Sequence, residues 1–201
     1  MIVRHWMTTD VVTIGKEASI QEALAVMKEH SIRHLPVVNR DRKLFGWVTD
    51  ADLRGVLIAS MLEELTLQDV MVRKPFTASP EMRLEEAAHV ILDRRVGGLP
   101  VVEEGKLVGI ITVVDILSAF ITIMGMLESS SRLDVKVSTP QTSLDEVARL
   151  IQRNAEIISI CILPDMAGEV NVYSVRLKKC DLNPVLADLE QHGIEVVSSI
   201  A

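Results

Sequence analysis

Two short stretches of this 201-residue chain carry residue types and spacing from which ligand chemistry can be built: Thr49-Asp50-Ala51-Asp52 and Thr112-Val113-Val114-Asp115. In each, a threonine closes an apolar run and an aspartate follows one helical turn later. A hydroxyl so placed lies beside the free backbone N–H groups of a helix N-terminus, which attract phosphate. The aspartate offers two acceptor oxygens, suited to a vicinal ribose diol because each hydroxyl can donate to one of them. The same spacing is nearly a capping box, so both pairs could serve only to start a helix. No GxSxG, HExxH, CxxC or P-loop pattern accompanies them, which argues against an enzyme. His5, His30, His89 and His192 have no ligand spacing with Cys, Asp or Glu, and no metal site is expected.

The elements that must hold these turns come from an internal repeat. A shift of 64 places Met7 on Met71, Ile20-Gln21-Glu22-Ala23 on Leu84-Glu85-Glu86-Ala87, and Leu35-Pro36-Val37-Val38 on Leu99-Pro100-Val101-Val102. After one deletion the shift is 63, and Leu44, Gly46, Thr49 and Asp52 fall on Leu107, Gly109, Thr112 and Asp115. Each copy starts with an amphipathic helix, carrying Ile20, Ala23, Leu24 and Met27 or Leu84, Ala87, Ala88 and Ile91 at spacings of three and four. A Pro-led strand, a polar turn and a second apolar strand ending at the Thr then predict a hairpin. A last helix is expected from Ala51 to about Leu65 and from Val114 to about Leu127. A β-α-β-β-α unit of this size cannot bury both sheet faces alone, so two copies should pack as a pair.

LeuProValVal, then Gly, two apolar residues and ThrxxAsp, present in both copies, resemble the cystathionine-β-synthase (CBS) domain over about residues 1–125. Tandem CBS pairs, or Bateman modules, typically sense adenosine-containing ligands in clefts between the copies. The resemblance thus implies AMP, ADP, ATP or S-adenosylmethionine as ligand. It also implies two unequal clefts. One would join Thr49 and Asp52 to Lys74-Pro75-Phe76 and Val96-Gly97-Gly98, with Arg33 and His34 toward the phosphates; Gly97 and Gly98 leave room for close backbone approach. The other would join Thr112 and Asp115 to Thr9-Asp10-Val11 and Ile32-Arg33-His34. Its phosphate side carries Gly97 and Gly98 where a base would help, with Arg94 and Arg95 as possible compensation.

From Leu133 onward the rhythm changes. Leu133 to Val137 alternates as a strand, Ser143 to about Asn154 carries a helical stripe, Ile157 to Leu163 and Val170 to Leu177 read as strands around the turn Pro164–Gly168, Leu182 to His192 is a helix ending at Gly193, and Ile194 to Val197 is a last strand. This β-α-β-β-α-β order looks like an ACT domain, a ferredoxin-like fold that commonly senses amino acids and dimerises by sheet extension. Its first turn, Ser138 to Ser143, has neither Gly nor acid, unlike amino-acid-binding ACT domains, which favours dimerisation over amino-acid binding. The expected fold is therefore α/β (α+β): CBS repeats at 1–64 and 65–127, a linker at 128–132, and an ACT-like domain at 133–201.

Composition narrows the functions. Hydrophobic residues make up 48% and charged residues 24%, so real cores are expected. Aromatics are only 3%, and basic residues number 15 against 18 acidic up to Arg132 and 6 against 10 beyond it, which excludes a phosphate-backbone or base-stacking surface and hence nucleic acid. The longest apolar stretch, Ile116 to Leu127, falls short of the roughly 20 residues that cross a bilayer, so no membrane association is expected. The start lacks a signal-peptide core, and Cys161 and Cys180 read as reduced, which fits the cytoplasm. The expectation is a regulatory homodimer or higher oligomer that senses an adenosyl ligand and acts on an unidentified partner enzyme, with an architecture similar to accessory proteins of acetoin utilisation. The alternative is a scaffold that binds no ligand.

Overall fold

The computed structural model describes residues 1–62, 65–126, 129–137, 143–163 and 171–201. The turns expected at 138–142 and 164–168 lie outside these residues. The chain divides into two compact units, Met1–Leu117 and Ser118–Ala201.

The first unit holds the repeat. α1 (Ile20–Glu29) begins at a capping box, in which the Ser19 hydroxyl accepts from Glu22 N at 3.1 Å and the Glu22 carboxylate accepts from Ser19 N at 2.8 Å. β1 (His34–Val38) and β2 (Leu44–Thr49) pair antiparallel, and α2 (Asp50–Leu62) follows without a break. After a single turn of helix, α3 (Leu67–Val70), the second copy supplies α4 (Leu84–Arg94), β3 (Gly98–Glu103), β4 (Lys106–Thr112) and α5 (Val113–Ile123). Both hairpins shift register at the same place, between Val37 and Val38 and between Val101 and Val102. The first core gathers Ile20, Ala23, Met27, Leu35, Val37, Val48, Leu53 and Leu67, all at most 1% exposed.

Leu67 in that list reveals what the sequence left hidden. Each copy lends its leading segment to the other. Leu67 N and Gln68 N donate to Ala18 O and Lys16 O at 2.9 and 3.0 Å; at the equivalent places Val3 N and Arg4 N donate to Met82 O and Pro80 O, both at 2.9 Å. Further on, Val72 exchanges both backbone bonds with Trp47 at 3.0 and 3.1 Å, and Thr8 does so with Ile110 at 2.9 Å each. Gly46 and Gly109 make this approach possible: a Cβ on either would meet Met71 Sδ at 2.5 Å or Met7 Sδ at 2.6 Å. Between the hairpins Val11, Val38 and Leu107 form a small shared cluster.

α5 ends at Ile123, earlier than the Leu127 expected. Gly125 adopts φ 66°, and the N–H groups of Gly125 and Met126 turn back to Thr122 O and Ile121 O, both at 3.0 Å, closing the helix in a left-handed cap.

The second unit contains β5 (Ser130–Val137), α6 (Leu144–Gln152), β6 (Ile157–Leu163), β7 (Asn171–Lys178), α7 (Asn183–Gln191) and β8 (Glu195–Ile200). The strand order β6-β7-β5-β8, antiparallel throughout, is the split β-α-β arrangement. The expected linker at 128–132 is corrected: Ser130, Ser131 and Arg132 are strand residues paired with Lys178, Leu177 and Arg176. Their polarity misled because Ser131 is fully buried yet satisfied, its hydroxyl lying 3.3 Å from both the N and the O of Cys180. Cys161 and Cys180 are free thiols. One sheet face packs Leu133, Val135, Val175 and Leu177 against Val147 and Ile151 of α6 and Val185 and Leu189 of α7. The other face carries a buried carboxylate, Asp134. Burial alone would raise its pKa, but two bonds from Arg132 at 2.8 Å and one from the Ser198 hydroxyl at 2.6 Å hold it below the usual range. The compact second unit begins at Ser118, within α5, and inside it Ser159 Oγ donates to Met124 O at 2.9 Å.

Candidate functional site

Thr49 and Thr112 each stand where a strand becomes a helix, as expected, but both are already occupied. Thr49 Oγ1 donates to Asp52 Oδ2 at 2.6 Å and accepts from Asp52 N at 3.2 Å. Thr112 Oγ1 does the same with Asp115, at 2.6 and 3.4 Å, and Thr112 N donates to the same Asp115 Oδ2 at 2.8 Å. The capping alternative is therefore realised in both copies. Two of the first three N–H groups of α2 are also spent internally, Asp52's on Thr49 and Asp50's on Arg33 O at 3.0 Å, so the helix start offers fewer free amides than expected. A carboxylate has about four acceptor positions, however. Asp52 Oδ2 spends one on the cap and Asp115 Oδ2 spends two, leaving Asp52 the more open of the pair.

Around these turns the chain builds a cavity of about 1080 Å³. The leading segments reach it through the Val72–Trp47 and Thr8–Ile110 pairings. The ends of α1 and α4 reach it through Ser31 and Arg95, both at φ 53°, whose left-handed backbone turns each chain into its strand. Of the site residues read from the sequence, Thr49, Asp52, Arg33, His34, Lys74, Pro75, Phe76, Val96, Gly97, Gly98, Thr112, Asp115, Asp10, Val11 and Ile32 line the cavity, and Thr9 does not. Residues the sequence reading missed include Trp47 and Asp50. Trp47 had a faint signal, an aromatic residue in a chain almost without them, at a position where the other copy has Ile110. Asp50 pairs with Arg54 at 2.7 Å, which holds its carboxyl below the usual range.

His34 sits at the centre of the arrangement. Its ring stacks on Trp47 with centroids 5.5 Å apart and planes at 30°. Burial lowers its pKa, the Arg33 charge lowers it further, and Asp52 opposes both. The balance favours the neutral imidazole, so of the Arg33–His34 pair Arg33 is the one that brings charge. The room expected at Gly97 is also already filled, because a Cβ there would overlap His34 Nε2 and lie 2.8 Å from His34 Cε1. At Gly98 a Cβ would meet Ile111 O at 3.0 Å and Thr112 Cγ2 at 3.1 Å. The Arg94 guanidinium lies 4.9 Å from the centre of the Phe76 ring and ties the 72–76 segment to the end of α4. Among the described residues no three His, Cys, Asp or Glu side chains are grouped to hold a metal, and no helix is long and apolar enough to cross a membrane.

Comparison with known proteins fits this geometry. The CBS domain family profile matches residues 3–59 and 67–122. The AcuB protein of Vibrio cholerae, solved as a candidate acetoin utilisation protein, is 31% identical with a TM-score of 0.59, over 64% of this chain and 98% of that one. The CBS domain pair of protein MJ0100, solved with 5'-methylthioadenosine and S-adenosyl-L-methionine, is 28% identical with a TM-score of 0.56, over 64% and 98%. CBSX2, a CBS-pair protein of Arabidopsis thaliana, was solved with AMP and is 27% identical with a TM-score of 0.56, over 61% and 97%. Longer relatives match only in part: the chain spans 22% of the inosine-5'-monophosphate dehydrogenase of Korarchaeum cryptofilum, at 38% identity over 108 residues. With both repeats matched across more than half of its 201 residues, the protein belongs to the CBS-domain family and carries a tandem pair of these domains.

Proposed function

We propose that the chain is a regulatory protein that senses an adenosyl ligand between its two CBS repeats. One observation carries this reading: residues 49–52, 112–115, both leading segments and the ends of α1 and α4 all open on one cavity of about 1080 Å³. That volume exceeds what a drug-sized ligand typically needs. The ligands in MJ0100 and CBSX2, 5'-methylthioadenosine, S-adenosyl-L-methionine and AMP, support the ligand class. The second unit is ACT-like in this reading and dimerises through its open sheet edge at β8, relaying the ligand state to a partner in the cytoplasm; the AcuB likeness makes acetoin utilisation the process to examine first. Binding shifts the protein between two states by no more than its difference in affinity for them.

Thermal melting tests the reading. AMP, ADP, ATP or S-adenosylmethionine at about 100 times its dissociation constant should add about 2.7 kcal/mol, several degrees in Tm, and Asp52→Ala should reduce the gain. No shift with any of them overturns the proposal. That outcome would leave the second reading, a scaffold that binds nothing, which draws on the Thr49–Asp52 and Thr112–Asp115 hydrogen bonds being complete without a ligand.

A further inference from the structure

The cavity has two halves that are equivalent by the repeat and opposite in charge. One half contains the Thr49–Asp52 turn, the 72–76 segment bonded to β2 through Val72, and the Arg95–Gly98 turn, which Arg94 ties to Phe76. The other contains the Thr112–Asp115 turn, the 8–12 segment bonded to β4 through Thr8, and the Ser31–His34 turn, whose Ile32 packs in the same core as Val12. The repeat lets the halves be compared position by position. Where the first half has Lys74 the second has Asp10, and where the first has Arg95 the second has Ser31. Arg33 also serves the first half: its carbonyl accepts from Asp50 N at 3.0 Å, and its charge lowers the pKa of Asp50. The position equivalent to Arg33 is Gly97.

The first half therefore gathers Arg33, Lys74 and Arg95 against Asp52 and Asp50, the latter paired with Arg54 at 2.7 Å. The second half has Asp10 and Asp115, and the cation its own segments bring among the described lining residues is Arg33, whose carbonyl is bonded to Asp50 N of the first half. In a concave site walled by apolar groups, a charge difference of this size decides which ligands enter, because the low-dielectric walls focus the field. A phosphate monoester carries up to two negative charges and would face two carboxylates in the second half. A neutral thioether or a sulfonium cation would not.

Resting on the adenosyl reading above, we infer that the two clefts are charge-selective: the Thr49–Asp52 cleft takes a phosphorylated adenosine and the Thr112–Asp115 cleft an adenosyl ligand without phosphate, neutral or cationic. Asp10 and Lys74 are the residues that set the difference. Both are exposed, so changing them leaves the cores untouched.

The test is calorimetric titration of the full chain with AMP and with S-adenosylmethionine, singly and together. Each should bind once per chain without displacing the other; AMP and S-adenosylmethionine should both weaken as salt rises, whereas neutral 5'-methylthioadenosine should hardly respond. Asp10→Lys should admit a second AMP per chain and weaken S-adenosylmethionine at least about tenfold, while Lys74→Glu should weaken AMP by a similar factor and spare S-adenosylmethionine. Asp52→Ala and Asp115→Ala assign the clefts by removing one ligand each. Mutual displacement overturns the inference, as does AMP filling both clefts of the wild-type chain equally. AMP binding with neither S-adenosylmethionine nor 5'-methylthioadenosine taken up overturns it too, as does Asp10→Lys leaving both stoichiometries unchanged. All of these leave the adenosyl reading standing. Only a chain that binds none of these probes removes both.

Discussion

Gly97 has no side chain because the His34 imidazole occupies the space one would need. Gly97→Ala should cost about 1–3 kcal/mol in urea unfolding, the usual range for overpacking, and His34→Ala in the same chain should recover much of the loss. The ring also couples stability to pH. Folding lowers the His34 pKa, so between its folded and unfolded values only the unfolded chain holds the proton, and stability rises with pH across that window. Wild-type stability should therefore be complete above about pH 6.5 and decline as the pH falls below it, and His34→Gln should flatten this slope in urea midpoints measured from pH 5 to 7. None of this was legible in the sequence. Gly97 and His34 are far apart along the chain, and nothing in one dimension says that the space above a glycine belongs to a neighbouring ring. The Thr–Asp pairs were legible as a choice, and the 2.6 Å hydroxyl–carboxylate bonds answer half of it: the caps are made, with one oxygen of each aspartate to spare.

At the scale of elements, runs of periodic residues were read well and single contacts were not. α1, α4, both hairpins and the tail helices appear within a few residues of expectation, because each has several apolar positions at a fixed spacing and a stop signal such as Gly193 at φ 68°. The exchanged leading segments were missed because each is held by isolated pairs, Thr8 with Ile110 and Val72 with Trp47, too short to leave a pattern. β5 was read three residues short because Ser130-Ser131-Arg132 looks like a linker. Its buried hydroxyl gives a direct test: Ser131→Ala leaves the Cys180 N–H without its partner and should cost about 1–3 kcal/mol by chemical denaturation. Ser19→Ala, by contrast, removes one half of an exposed capping box and should cost about 1 kcal/mol.

For the whole molecule, two compact units with separate cores predict separable responses. In scanning calorimetry an adenosyl ligand should raise the transition of the repeat unit and leave that of the second unit in place. Asp134→Ala should do the reverse, lowering the second unit by stranding Arg132 and Ser198. A single transition that moves as one under both perturbations would show that the units unfold together.

The exchange of leading segments has a consequence for how such a chain could have arisen. A lone copy would have a leading segment without its partner, since in this protein Val3 and Leu67 each bond to the opposite copy. It would have been complete only in the arms of a twin. In the fused chain the two copies differ at matched positions, the first carrying Asp10, Ser31 and Arg33 where the second carries Lys74, Arg95 and Gly97. A fragment of residues 1–64 should accordingly fold only as a two-fold dimer and lose its structure on dilution, which sedimentation across a concentration series would reveal.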